Sequence, residues 1–314
     1  HFIDNGDPMS DLILHHYALS PFSEKVRAML GYAGLDWQSV TVREMPPRPM
    51  LAPLAGGYRK IPVAQSGADV FCDTRIIGAE IAALAGKPEL VANNAGVDVQ
   101  DFVARVDLDI FLACIISAGN MTLLRKVLKE SSLLDLGRLL WDRIAMGSKA
   151  KVKTNSPKQM KRMVEAHLTD LEGKLESHPF LFGDTPNAGD FSAYHSLWFQ
   201  RDLAEQPRFK RYPKVNAWLD RLQAYGQGNS TQISADQALE QARSASPRAL
   251  PDSTQDEALI GKTVRITPDD YGRIPVEGTL VASTDERWIV ARDEDAVGRV
   301  HVHLPRQGFV IHPV

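Results

Sequence analysis

Residues Leu12–Gly34 read LILHHYALSPFSEKVRAMLGYAG, an apolar run that passes through Ser-Pro into a periodic segment. Leu12 to His15 has the length and character of a short strand, and Ser20-Pro21 ends it. Ser20 suits an N-cap, and Pro21 suits the first helical position, where a missing N–H costs nothing. Val26, Met29, Leu30 and Ala33 follow at helical spacing, which predicts one amphipathic helix over 21–34. A helix that starts directly after a strand offers unpaired N–H groups and the positive end of its dipole to an anion. At that point Ser20 is open to two readings. It is a plain helix cap, or its hydroxyl donates to a thiolate and lowers the pKa of a bound thiol.

The neighbouring segments extend this strand–helix pair into a domain. Trp37 to Val42 alternates like a second strand, and the Pro- and Gly-rich Met45 to Gly57 is a loop with room for one helical turn. Ile61 to Ala64 and Val70 to Cys72, separated by Ser66-Gly67-Ala68-Asp69, form a hairpin. Asp73 then begins a helix that runs through Ala85. Ile61-Pro62 opens its strand with a residue that removes a ladder donor and can turn cis. Asp73-Thr74 is a good capping pair, and equally a holder of an ammonium and a carboxylate. One small mixed sheet with helices on its faces satisfies this order.

From Val97 the periodicity is helical throughout. Phe102, Val106, Ile110 and Ala113 make one stripe. Met160, Met163, Val164, Leu168, Leu171 and Leu175 make another, and Val215, Trp218, Leu219 and Leu222 a third. Asn187 to Phe199 is a further helix, opened by Asn187 with Asp190 three residues on. Leu123 to Ile144 is also helical, with a less regular period. The polar stretch Gly226 to Gln255 reads as a linker with a short helix at Ala235–Ser244. Beyond it, runs at Val264–Ile266, Leu280–Val281, Trp288–Val290, Val300–Leu304 and Phe309–Ile311 predict five short strands, a small barrel or sandwich. Pro268-Asp269-Asp270-Tyr271-Gly272 is one of the turns between them.

The 314 residues carry a net charge of −3, which gives no general pull toward nucleic acid or an anionic membrane. No apolar run approaches the roughly 20 residues that a membrane-crossing helix requires. The two cysteines, Cys72 and Cys114, lack metal-ligand spacing and sit in apolar surroundings as buried thiols, as expected in a reducing cytoplasm. His301 and His303 alternate onto one strand face, yet packing or solvated histidines are the commoner case, and no metal is expected. His195 has no evident partner in the local sequence. Residues 1–10 read as a tag or disordered start.

Three short segments in order carry a family resemblance. They are Tyr17-Ala18-Leu19-Ser20-Pro21-Phe22-Ser23-Glu24-Lys25-Val26-Arg27, Arg59-Lys60-Ile61-Pro62-Val63 and Asp73-Thr74-Arg75-Ile76-Ile77. Together they resemble the glutathione S-transferase N-terminal domain. Phe182-Gly183-Asp184-Thr185-Pro186-Asn187-Ala188-Gly189-Asp190 is similar to the buried capping box of that family's helical domain, with Asn187 for the usual Ser or Thr. The resemblance covers about residues 11–225. It implies a thioredoxin-like α/β domain at 11–88 and an all-α bundle at 95–226. A linker at 227–255 and a small all-β, barrel-like domain at 256–314 complete the chain.

The implied ligand is glutathione, as co-substrate for conjugation to, or isomerisation of, a small hydrophobic electrophile, in a cytoplasmic, homodimeric detoxification enzyme. Ser20 matches the position that is catalytic serine or cysteine in different classes, with Tyr17 a second candidate hydroxyl. Ile61 would pair its backbone with the cysteinyl unit beside a cis Pro62. Asp73 and Thr74 would take the γ-glutamyl end, and Lys60 a glutathione carboxylate. Phe111, Trp141, Tyr194 and Trp198 are candidates for the hydrophobic site. Serine at both Ser20 and Ser23 removes the thiols that disulfide exchange needs. The alternative is a non-catalytic glutathione-binding or scaffold protein whose β domain mediates assembly.

Overall fold

The computed structural model describes residues 11–130 and 155–314. Trp141 and most of the helix expected at Leu123–Ile144 lie outside them. The first module is β1 (Ile13–His16), α1 (Pro21–Ala33), β2 (Asp36–Thr41), α2 (Ala52–Ala55), β3 (Val63–Ser66), β4 (Asp69–Cys72) and α3 (Thr74–Ala85). Strand β1 pairs with β2 in parallel and with β3 antiparallel, and β3 forms a hairpin with β4. This is the small mixed sheet that the strand and helix patterns predict, in the thioredoxin-like arrangement that the family resemblance implies.

The helical module comprises α4 (Val97–Arg105), α5 (Phe111–Ser117), α6 (Met121–Glu130), α7 (Pro157–Lys174), α8 (Ala188–Trp198) and α9 (Pro213–Ala224). A π-helical turn over Val106–Ile110 joins α4 to α5 without a break in direction. Helix α8 starts in a full capping box. Asn187 accepts from Gly189 N at 2.9 Å, and Asp190 accepts from Asn187 N at 3.0 Å. Asp190 is wholly buried and also accepts from Leu181 N and Trp218 Nε1, so one carboxylate ties α8 to α9 and to the preceding loop.

The period of two along the strands sorts side chains between two cores. Leu14, Ala64 and Phe71 face α1, α3 and the helical module in one continuous apolar cluster. Val63, Val70 and Cys72 face the other way, into a second cluster with residues of the C-terminal strands.

The C-terminal β-rich region contains β6 (Thr263–Pro268), β7 (Val276–Ser283), β8 (Arg287–Glu294), β9 (Gly298–Pro305) and β10 (Phe309–Pro313). These strands continue the first sheet, because β9 lies parallel to β4, with Asp69 opposite His301 and Phe71 opposite His303. The complete order is β10-β6-β7-β8-β9-β4-β3-β1-β2-β5. The last member, β5 (Asn229–Gln232), comes from the linker and lies parallel to β2. Its four residues are exposed and polar, so no hydrophobic alternation announces it.

The linker helix α10 (Ala235–Arg243) buries Ala238, Leu239 and Ala242. Gln65 donates to the Ala238 carbonyl at 2.8 Å, which holds this helix on the face opposite α1 and α3. The two ends of the chain are also joined by charge. Arg248 forks onto both oxygens of Glu80, Arg287 donates to Glu80 at 2.8 Å, and His303 pairs with Asp69 at 2.8 Å.

Candidate active site

Strand register brings the three motifs to one end of the sheet. His15 lies opposite Val63, and Val63 opposite Cys72. The loop from β1 to Ser20, the Ile61-Pro62 pair and Asp73 therefore all leave the sheet at that end. The Ile61–Pro62 peptide is cis.

Ser20 is the N-cap of α1, with extended φ and ψ of −75° and 117°. Its Oγ accepts from Ser23 N at 3.2 Å, which leaves the hydroxyl proton for an external acceptor. The side chain is only 2% exposed. Ser23 is also buried, and its Oγ has no partner among the described residues.

The loop that carries Ser20 is braced from within its own helix. Glu24 accepts from Arg27 Nε at 2.9 Å and from Tyr194 Oη at 3.0 Å. The Arg27 guanidinium then donates to the carbonyls of Tyr17 and Ala18 and to His16 Nδ1. A planar fork of donors meets three acceptors here, so the chain preceding Ser20 has one position. Tyr17 is half-buried in that strap.

Asp73 caps α3, accepting from Arg75 N at 2.9 Å, and does so at φ 77° and ψ 141°. A non-glycine residue held at positive φ is a form of stored strain that concentrates at ligand sites. Thr74 is buried, and its hydroxyl accepts from Lys25 Nζ at 3.3 Å. Lys25 also pairs with Asp107 at 3.2 Å, and Ser192 donates to the same carboxylate. Burial alone would raise the Asp107 pKa, but Lys25 and the other nearby positive charge hold it below the ordinary value. Asp107 sits in the π-helical turn, a distortion often found where a side chain is re-aimed for function.

Thr74 and Arg75 border a cavity of about 120 Å³, shared with Lys25, Gln100, Ser192 and Gln307. It lies where the three parts of the chain meet, and Ser20 is not among its walls.

The remaining candidates scatter. Lys60 faces the C-terminal β region, pairing with Asp270 at 2.5 Å beneath the Tyr271 ring. Tyr194 is 1% exposed with its hydroxyl on Glu24, so it is a core residue and lines no open surface. Phe111 packs against Phe22 and His195, and Trp198 is partly buried against the main core. Phe22, from the turn after Ser20, is the aromatic that links the α1 start to this group. Trp141 falls outside the described residues. His195 is fully buried between Phe22 and Phe111; burial lowers its pKa to about 4, and its Nε2 is unpaired among the described residues.

Both cysteines are fully buried, which raises the Cys72 thiol pKa strongly and moves that of Cys114 up to about 12. Neither is a nucleophile at neutral pH. His303 is engaged by Asp69 and Arg287, and the described residues contain no cluster of three metal-ligating side chains. None of the described helices is long and apolar enough to cross a membrane.

Residues missed in the sequence are Glu24 and Arg27, which look like an ordinary i,i+3 surface pair, and Asp270 with Tyr271, which look only like a turn.

Comparison with known proteins matches residues 14–89 to the glutathione S-transferase N-terminal domain and residues 157–221 to the glutathione S-transferase C-terminal domain. Among solved structures, a GST-like protein from Pseudomonas syringae is 33% identical, with a TM-score of 0.79 over 98% of this chain and 100% of that one. A glutathione S-transferase from Rhodospirillum rubrum F11 is 18% identical, covering 68% of this chain and 88% of that one at a TM-score of 0.49. No curated protein sequence matches the chain.

Proposed function

Because this chain belongs to the glutathione S-transferase family, we propose that it binds glutathione at the end of its sheet and joins it through its sulfur to a small hydrophobic electrophile. The observation that carries this reading is the hydrogen-bonding state of Ser20. Its lone pair is taken by Ser23 N and its proton is uncommitted, at the positive end of α1. In that position the bound thiol loses its proton to solvent. The Ser20 hydroxyl donates to the resulting thiolate, and the helix end stabilises its charge. The sulfur then forms a bond to the electrophilic carbon as a leaving group departs with its electron pair, or adds to an activated double bond whose other carbon takes a proton from solvent.

Asp73 and Thr74 would hold the γ-glutamyl end, and the Ile61 backbone the cysteinyl unit beside Pro62. Phe111 and Trp198, with Phe22, would flank the electrophile. A homodimer working in cytoplasmic detoxification completes the proposal. The buried state of Ser20, at 2% exposure, favours a second reading in which glutathione or the fold is retained without turnover and the β region serves assembly.

Titration calorimetry with glutathione, paired with the ultraviolet absorbance of the bound thiolate against pH, separates the two. A charge-assisted hydrogen bond is worth about 1.5–3 kcal/mol. At about 1.4 kcal/mol per pKa unit, Ser20→Ala should raise the bound thiol's pKa by about 1–2 units and slow turnover in proportion. Binding without turnover on a panel of electrophiles would support the second reading. An unchanged thiol pKa in Ser20→Ala would remove Ser20 from the chemistry.

A further inference from the structure

The loop between β6 and β7 is seated against the segment that leads into cis Pro62. Lys60 Nζ lies 2.5 Å from Asp270 Oδ1, 4.1 Å from the Tyr271 ring centre and 6.0 Å from that of Phe309. The same Asp270 oxygen accepts from Tyr271 N at 2.6 Å, so the carboxylate is held by its own backbone as well as by the cation. The seat is close. A Cβ on Gly272 would come within 3.3 Å of Arg59 Cγ, and one on Gly57 within 2.6 Å of the Pro275 carbonyl. Tyr58 stacks on Phe309 alongside. The Lys60 and Asp270 side chains are 13% and 24% exposed, so this pair is more sheltered than a surface contact.

On the glutathione reading, Lys60 is the cation that would meet the distal carboxylate of the tripeptide, and its charge is already matched by Asp270. A ligand carboxylate arriving there must share one ammonium with Asp270 or displace it. Either course sets two like charges side by side in a partly desolvated place. A ligand whose distal end is uncharged meets no such conflict, whereas a cationic end would meet the Lys60 ammonium instead.

We propose that Asp270 sets the thiol specificity of this site, favouring γ-glutamyl thiols with a neutral distal end, such as glycyl esters and amides, over glutathione itself. This rests on the glutathione reading of the site, and the chemistry at sulfur is unchanged by it. Asp270 acts as a negative element: it weakens binding of glutathione by repulsion without abolishing it, while Lys60 stays satisfied and the loop stays docked.

The test is calorimetric titration of the full chain with glutathione and with its glycyl monoethyl ester. The wild type should bind the ester about tenfold more tightly, the scale of one like-charge conflict. Asp270→Asn keeps the shape of the loop and removes the charge, and should raise glutathione affinity about tenfold while the ester changes little. Asp269→Asn, an exposed neighbour, controls for general charge and should alter neither. Equal or tighter wild-type binding of glutathione overturns the inference, as does an affinity ratio unmoved by Asp270→Asn, and both outcomes leave the glutathione site standing. If neither thiol binds wild type or variant, the glutathione reading itself falls, and this inference with it.

Discussion

Mild acid should unfold this protein, and its buried histidines set the pH at which that happens. His15, His167 and His195 are 2%, 3% and 0% exposed, and burial lowers their pKa values to about 4, about 3 and about 4. All three are neutral in the fold and titrate near 6.5 once unfolded. Below pH 6.5 the unfolded state binds the extra protons, so stability is fully present above that value. It then falls as pH drops toward 4. At pH 5 each histidine removes about 2 kcal/mol, about 6 kcal/mol together.

Asp190 works in the opposite direction. Burial raises its pKa to about 6, so the fold takes up a proton there before the unfolded chain does, returning about 1 kcal/mol at pH 5. These four groups together cost about 5 kcal/mol, as large as the whole stability of a marginal protein, and His16, His301 and His303, whose pKa values are also lowered, add to the loss. Lowered carboxylates such as Asp69 and Glu80 stabilise the fold above their unfolded values of 3.8 and 4.5, and that stability is lost progressively as pH falls below about 5.

Urea unfolding followed by tryptophan fluorescence at pH 7, 6 and 5 measures this. His167 offers a clean variant, because both its ring nitrogens lack partners among the described residues and it lies beside Phe102. His167→Phe should reduce the pH slope by about 1.4 kcal/mol per pH unit, one titrating group's share. A stability that is flat between pH 7 and pH 5 would refute the account. So would an unchanged slope in a folded His167→Phe.

Two further substitutions probe how the modules are joined. Gly31→Ala would put a Cβ 1.9 Å from the Gly226 carbonyl oxygen, so it should displace the chain entering β5 and lower the thermal midpoint by several degrees, about 1–3 kcal/mol of overpacking. Glu80→Gln leaves Arg287 facing a neutral group in a site where both side chains are mostly buried. A loss of about 3 kcal/mol in chemical denaturation is expected, and a change within 0.5 kcal/mol, the range of ordinary surface substitutions, would mean that the pair is not what joins the C-terminal strands to α3.

Much of the architecture could be read locally. Ser20-Pro21, Asp73-Thr74 and the Asn187–Asp190 pair announce helix starts because capping chemistry is local, and the C-terminal strands announce themselves by short apolar runs between turns. Pairing partners could not be read that way. The contact of Asp69–Phe71 with His301–His303 joins segments more than 200 residues apart, and period-two burial says that a strand is covered without saying by what. Asn229–Gln232 forms its strand chiefly through backbone pairing with β2, with exposed polar side chains that leave no pattern. Lys60 carries its charge openly in the sequence; that Asp270 neutralises it depends on a loop 210 residues away. Tyr194, a candidate for the hydrophobic site, sits in the core for a similar reason. Its hydroxyl is satisfied by Glu24, 170 residues earlier, and a polar group paired in this way can be buried without penalty.

The parallel contact of β4 with β9 also orders events on the ribosome. Asp69 precedes its partner His303 by 234 residues. At about 5–20 residues per second, β4 is made roughly 10–50 s before the strand that covers it. Throughout that interval the nascent chain presents a bare strand edge together with the apolar face of Val63, Val70 and Cys72. Chains that end early, by a stop codon or proteolysis before Gly298, would keep that edge open permanently. They are the species on which chaperones or aggregation should act first.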